Sequence, residues 1–194
     1  MKARAVDRRI QRTRQLLHGS LMALIQEKGF EALSVQDIID QANVGRATFY
    51  AHFDSKEDLL ASGIESLRES LRERQRQARS AGGSDERLFA FSRELFTHAN
   101  EHRTVFRAMV GKRSGAVVQQ LLQKMLVDLV REEVKGTWAE KEHEAPIEAV
   151  SQFIGGGLFG LLMWWGNGKM RMPVEDVDSM FRRLAIPSLK AAAR

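Results

Sequence analysis

Arg46, Thr48, Tyr50 and His52 are the polar side chains of one short stretch, Gly45-Arg-Ala-Thr-Phe-Tyr-Ala-His52. A guanidinium can pair with two acceptors at once, as on a guanine edge, while hydroxyl, phenol and imidazole groups reach phosphate oxygens. Tyr50 is the single tyrosine of the chain. Gln36 and Ala47 are secondary candidates for base contact, Ala47 through a thymine methyl. Lys56 follows at a predicted helix start, where an ammonium and free backbone N–H groups together can hold a phosphate. The chemistry on offer is recognition of a nucleic acid.

The elements that must position these groups are legible around them. Ser34 followed by Asp37 is a capping-box-like helix start. Ile38, Ile39 and Ala42 form the apolar stripe of a short helix, and Asn43 tolerates the left-handed backbone of a tight turn that Val44 plugs. A second short helix runs from about Gly45 to His52, with Val44, Thr48/Phe49 and Phe53 turned partly inward. Two short helices with an outward polar face on the second describe a helix-turn-helix. Upstream, Ile10, Leu17, Leu21, Leu24 and Ile25 share one face of a helix from Arg8 to Lys28 that Gly29 ends, and Phe30 and Leu33 close a small core.

The segment resembles the DNA-binding motif of TetR/AcrR-family transcriptional repressors. The match runs through Val35-Gln36-Asp37-Ile38, Ala42-Asn43-Val44, Thr48-Phe49-Tyr50, His52-Phe53 and Lys56-Glu57-Asp58-Leu59-Leu60. Asn43 stands where the family usually has Gly, and Ala51 where a bulky aromatic often precedes the histidine. The resemblance is specific over about residues 8 to 60 and architectural beyond. It gives Lys56 its phosphate role and implies a variable second domain that dimerises through its last two helices and often encloses a ligand.

Composition sets the outer bounds. With 194 residues, 43% hydrophobic and 28% charged, the chain reads as globular with a proper core. Its net charge of +5 is concentrated at the start, where Lys2, Arg4, Arg8, Arg9, Arg12 and Arg14 face a single acid, Asp7. Zero cysteines exclude disulfides, thiol nucleophiles and Cys-ligated zinc. No signal peptide is apparent, and the apolar run Phe153 to Trp165 is short and broken by four glycines, so a cytoplasmic, non-membrane protein is expected.

The remainder reads as helices throughout, for an all-α fold of about nine. The expected domains are a helix-turn-helix domain over 1–54 and a helical regulatory and dimerisation domain over 55–194. A connecting helix spans 55–79 and turns polar after Leu71. Breaks are expected at 80–84, with Asp85-Glu86 opening the next helix through Leu88, Phe89, Phe91 and Phe96, and again at 111–115 and 140–144. A short helix covers Phe106 to Val110 and a long amphipathic one Val117 to Val134. The last two run from about Ile147 to Trp165 and from Val174 to about Leu189.

Two motifs are set aside. His98-Ala-Asn-Glu-His102 matches a zinc-peptidase pattern, but no segment supplies a third ligand, so no metal is expected. Gly155 to Gly160 matches G-x-G-x-x-G inside a helical pattern, without the strand a dinucleotide site requires; close approach of another helix accounts better for the glycines. Neither a catalytic constellation nor a cofactor motif is present, and no enzyme is expected.

The functional expectation is a ligand-responsive regulator, a repressor, that binds a palindromic operator as a homodimer through its last two helices. A small, largely apolar effector would sit among Phe89, Phe96, Phe106, Met109, Met125, Phe153 and Trp164. The alternative is an architectural DNA-binding protein without a ligand switch.

Overall fold

A computed structural model describes residues 2–81, 87–110, 115–138 and 145–193, and of residues 2–7 the backbone alone. All regular structure among them is helical: α1 (Lys2–Lys28), α2 (Val35–Ala42), α3 (Arg46–Tyr50), α4 (Lys56–Ala81), α5 (Phe91–Glu101), α6 (Arg103–Val110), α7 (Gly115–Thr137), α8 (Ile147–Asn167) and α9 (Val174–Ala192). Of the breaks expected at 80–84 and 111–115, Ser80 and Ala81 still belong to α4 and Gly115 already to α7, while 82–84, the helix start expected at 85–86, 111–114 and the whole of 140–144 lie outside the described residues, as do the side chains of Lys2 and Arg4.

α1 ends where Gly29 takes φ 78 and its N–H bonds Ile25 O at 2.9 Å. Its Leu17, Leu21, Leu24 and Ile25 are buried with Phe30, Leu33, Ile38, Ile39, Phe49 and Phe53 in the core of a three-helix head. Ile10, expected on that face, is 39% exposed. The stripe continues in sequence beyond the point where α2 and α3 can cover it.

α4 is 26 residues long, roughly 39 Å of helix, and leaves the head for the second domain. Leu59, Leu60 and Ile64 pack near the head, and Leu71 is fully buried further along. The polar second half is ionically tied to α7. Arg68 bonds Glu132 at 3.0 Å, the Arg72 guanidinium forks onto Glu132, and Arg79 reaches the buried Glu133 at 2.7 Å. Burial pushes the Glu133 carboxyl up, against the pull of Arg79. Gln75, also buried, holds the start of α5 by bonding Arg87 O at 2.7 Å and accepting the Phe91 N–H at 3.2 Å.

The expected helix across Leu88–Phe96 is interrupted. Phe89 stands at φ 55, and α5 begins only at Phe91. That left-handed conformation is unfavourable for a bulky residue. It sinks the Phe89 ring edge-on between Phe91 and Phe181, at centroid distances of 6.2 and 5.6 Å, while Phe89 O accepts the Ser92 N–H at 2.9 Å.

α7 and α8 form the tightest helix pair, and Gly155 explains why. A Cβ there would stand 2.7 Å from Val127 Cα, so only glycine lets the two backbones approach this closely. Arg131 of α7 forks onto Glu148 of α8 at 2.8 and 2.9 Å, which lowers the Glu148 carboxyl to about 2. α8 is the described helix whose length and composition would suit a bilayer, yet its inner face, with Ile154, Leu158, Leu162 and Trp165, is buried in the domain. α9 is fixed to the start of α5 by a hydrogen bond between Ser92 and the buried Asp178 and by Arg182 bonding Leu88 O at 2.7 Å.

Gly155→Ala should lower stability by about 1–3 kcal/mol, because the obstacle is backbone and cannot swing aside. Gly19→Ala, in the middle of α1 with nothing near its Cβ position, should raise stability by up to about 1 kcal/mol. Denaturant unfolding of both variants beside the parent measures the contrast.

Candidate nucleic-acid interface

The presented surface begins with the cap of α2. The Ser34 Oγ accepts the Asp37 N–H at 3.2 Å, and the Asp37 carboxylate accepts the Ser34 N–H at 2.9 Å, a reciprocal capping box. The Lys28 ammonium, at the end of α1, bonds the same carboxylate at 2.6 Å. Those bonds, from Lys28 first and Ser34 second, hold the Asp37 carboxyl well below the usual carboxylate range. α1 and α2 are thereby locked at their junction.

α2 stops at Asn43, whose φ of 51 and ψ of 49 are the left-handed conformation the turn requires. Val44 N–H returns to Ile39 O at 3.1 Å, and the half-buried Val44 side chain packs on the core. Gly45 then takes extended backbone, and its carbonyl accepts from Thr48 and Phe49 at 2.9 and 3.1 Å to start α3. The helix itself is Arg46–Tyr50, shorter than the Gly45–His52 expected, although backbone bonds from Ala51 and Phe53 prolong its last turn.

Of the five α3 residues, Phe49 is fully buried, and Arg46, Ala47, Thr48 and Tyr50 are exposed. Of the inward position expected at Thr48/Phe49, Phe49 takes the core and Thr48 is exposed. Tyr50 is 49% exposed and set edge-on to Phe49 at 5.3 Å. His52 is half-buried beside Phe53. Gln36 is exposed one helix away, its amide bonded to Asp40 at 2.8 Å. The structure thus brings Arg46, Ala47, Thr48 and Tyr50 onto one outward surface, with Gln36 and His52 outside the helix itself.

Lys56 departs from the expectation. Its ammonium bonds Leu33 O at 2.7 Å, Phe30 O at 3.1 Å and Glu31 O at 3.4 Å, and lies 4.8 Å from the Phe30 ring centroid. An ammonium has three protons, and three carbonyls of the α1–α2 connection take them. The start of α4 is partly self-capped as well, since Asp58 accepts from Asp54 N–H and Ser55 Oγ accepts from Asp58 N–H. Lys56 therefore braces the head from within. The sequence signal was available in the apolar-then-carbonyl turn after Gly29, but nothing in it said which cation would close that turn.

A second concavity lies between α1, α4, α5 and α6, with a volume of about 350 Å³. Of the residues expected around an effector, Phe106 and Met109 line it. Phe89, Phe96 and Met125 are buried elsewhere in the core, and Phe153 and Trp164 are corrected outright: they are 70% and 54% exposed on the outer face of α8. Missed were His18 and Met22 of α1 and Leu60, Ile64 and Leu67 of α4, which also line the space. His98 and His102 meet at its rim with ring centroids 4.6 Å apart, and the described residues hold no group of three metal-ligating side chains.

Comparison with known proteins agrees with this geometry. The family model described as "Bacterial regulatory proteins, tetR family" matches residues 20–62, and one described as "Transcriptional regulator C-terminal region" matches residues 86–186. An uncharacterized HTH-type transcriptional regulator of Bacillus subtilis, YxbF, is 37% identical over 65 residues, which are 33% of this chain and 17% of that protein. The structure of a TetR transcriptional regulator from Streptococcus agalactiae superposes with a TM-score of 0.67 at 25% identity, covering 94% of this chain and 98% of that one. FadR from Bacillus subtilis, solved in complex with stearoyl-CoA, shares the fold at a TM-score of 0.67 and 16% identity over 90% of this chain and 98% of its own.

Lys56→Met should destabilise the head by roughly 0.5–1.5 kcal/mol, the cost of removing the bonds to two part-buried carbonyls and one exposed one. Its loss of DNA affinity should leave the slope of log K against log salt unchanged, whereas a lost phosphate contact would reduce that slope by about 0.9. Binding isotherms across a salt series, beside thermal melts, separate the two roles.

Proposed function

The chain belongs to the TetR family of bacterial regulatory proteins and is a DNA-binding transcriptional regulator, and we propose that it acts as a homodimeric repressor released by a small molecule. The observation that carries the DNA half of this reading is the outward face of α3. A helix anchored through Phe49 alone presents Arg46, Ala47, Thr48 and Tyr50 together, at a size that fits a major groove. Arg46 has the donor geometry for a guanine edge and Ala47 the methyl for a thymine. Thr48, Tyr50 and His52 suit phosphate oxygens, and Gln36 a flanking base. The exposed Arg9 and Arg12 of α1 extend the basic surface.

One such helix reads too few base pairs for specificity in a genome. Two copies related by a two-fold axis read half-sites about 34–36 Å apart or a multiple of that. The surface that supports pairing is the outer face of α8 and α9. Phe153, Trp164 and Leu184 are 70%, 54% and 68% exposed there, with Gly157 and Gly160 between the two aromatics. An apolar strip of this kind, flat where the glycines lie, suits the same strip on a second copy.

The effector half of the reading is supported by the cavity between α4 and the neighbouring helices. α4 carries the head, so a molecule wedged against Leu60, Ile64 and Leu67 changes where the head can sit. That FadR, with the same fold, holds stearoyl-CoA supports a ligand-bound state for this architecture. A DNA operator as target places the protein in the cytoplasm.

Selection of bound duplexes from random DNA should return an imperfect palindrome. Arg46→Ala should then cost about 1–3 kcal/mol on the selected operator and relax one position in each half-site. An equal loss on every sequence would reduce Arg46 to a phosphate contact. Leu184→Glu should convert dimers to monomers in light scattering at micromolar concentration and abolish two-fold operator footprints while leaving the helical content intact.

A further inference from the structure

We propose that the cavity between α1 and the second domain takes a neutral, mostly apolar molecule carrying a hydroxyl or N–H donor, and that His18 Nδ1 accepts that donor's hydrogen bond. The inference deepens the effector-released reading and rests on it only for its consequence at the operator.

The lining decides the class of ligand. Leu60, Ile64, Leu95, Phe106, Met109 and Leu162 supply an apolar body, and the polar groups are His18, Ser66, His98 and His102. Among the described residues that line the space there is no lysine, arginine, aspartate or glutamate, so a carboxylate or phosphate would be desolvated there without a counter-charge in that lining. A volume of about 350 Å³ is at the lower end for small-molecule sites. This favours a single ring or a short branched chain over a long acyl group.

The hydrogen bonds decide what the ligand must bring. With the Ser62 Oγ proton directed to Leu59 O, 3.0 Å away, the 3.0 Å contact of that oxygen with His18 Nε2 places the N–H on Nε2, and this is the tautomer the proposal takes. Burial first, and the nearby Arg14 charge second, lower the His18 pKa, which keeps the ring neutral and Nδ1 an acceptor. Nδ1 and Cε1 lie against Gly63, where a Cβ would approach them to 3.2 and 3.3 Å, and His18 and Gly63 both line the cavity. Ser66 Oγ likewise donates to Ser62 O at 3.0 Å and keeps only lone pairs. Burial and the neighbouring His102 lower the His98 pKa in the same direction. Acceptors outnumber free protons on this wall, so the complementary molecule is a donor.

His18 also connects the site to the head. Its ring stands edge-on to Phe53 at 5.7 Å, and Phe53 lies 6.1 Å from Phe49, the anchor of α3. A ligand bonded to His18 therefore touches α1 of the head and α4 of the second domain together.

Titration calorimetry of the full-length protein with 4-propylphenol, 4-propylanisole and 4-propylbenzoate tests the assignment. The phenol should bind three- to tenfold more tightly than the anisole, which has no donor, and the benzoate should be weakest. His18→Gln keeps an amide nitrogen for Ser62 but no acceptor at the δ position, and should bring the phenol-to-anisole ratio to about one. His18→Asn keeps the δ acceptor and should retain the preference; circular dichroism melts report whether each variant folds. Equal phenol and anisole binding in the parent, preference for the benzoate, or no binding of any of the three overturns the proposal, whatever the variants do. Operator affinity is measured in parallel. Phenol binding that leaves it unchanged upholds the site and removes the effector-released reading, whereas operator release by the benzoate alone does the reverse.

Discussion

A helix of five residues cannot hold itself together, and the whole recognition surface depends on the burial of one ring in it. Isolated helices of this length are unstable in water. α3 exists because Phe49 is fully buried and its neighbours have no other place to go. Phe53 backs it, and Arg14 and His18 of α1 close on Phe53 from outside, the guanidinium 5.1 Å from the ring centroid. Gly45 and Asn43 contribute nothing to that core. Their part is conformational, one giving extended backbone and a first carbonyl, the other the left-handed turn. The outward residues are therefore free to be chosen for chemistry, since stability is carried from behind.

The two ends of α4 are held by different physics. Near the head it is held by buried leucine and isoleucine and by Lys56 on the carbonyls of the α1–α2 turn, contacts that fix one geometry. Along the second domain it is held by a row of arginines on the acids of α7, most of them partly exposed. Exposed ion pairs contribute little net stability and tolerate sliding better than interlocked side chains do. Glu133 is the exception, buried to 2% exposure and bonded by Arg79, and it pins the far end of the helix. A change of angle in α4 is thus resisted least along its middle, beside the space that His18 and Leu60 share with α5 and α6.

How much of this was legible in the sequence follows from how local each cause is. The capping box at Ser34 and Asp37, the left-handed Asn43, the glycine that ends α1 and the all-helical order depend on neighbours a few residues away, and the structure has each of them. Ile10 and Lys56 depend on distance. A stripe says which face is apolar but not where its cover ends, and a lysine at a helix start has the same signature whether it meets phosphate or the chain's own carbonyls. The cavity was least legible. Its walls come from the edges of several helices, so Met22, Leu60 and Leu67 read as ordinary core, and the aromatic inventory drew attention to Phe153 and Trp164 on the wrong side of α8. His98 and His102 match a metal-site spacing for which the described residues supply no third ligand. Only the approach of His18 from α1 gives that corner another meaning.

The glycines of α8 separate two explanations that the sequence alone leaves together. Gly155 is required, because Val127 occupies the volume its side chain would need. Gly156, Gly157 and Gly160 meet nothing within 4 Å, so this chain gains no close contact from them. Each costs the helix about 1 kcal/mol relative to alanine, roughly 3 together, against a total stability on the order of 5–15 kcal/mol. Phe153 and Trp164 flank these glycines at helical spacing on the same outer side, so the cost and the exposed aromatics fall on one strip. The inner face of α8 is packed by α7, and its outer face is the strip on which the proposed pairing of two copies rests.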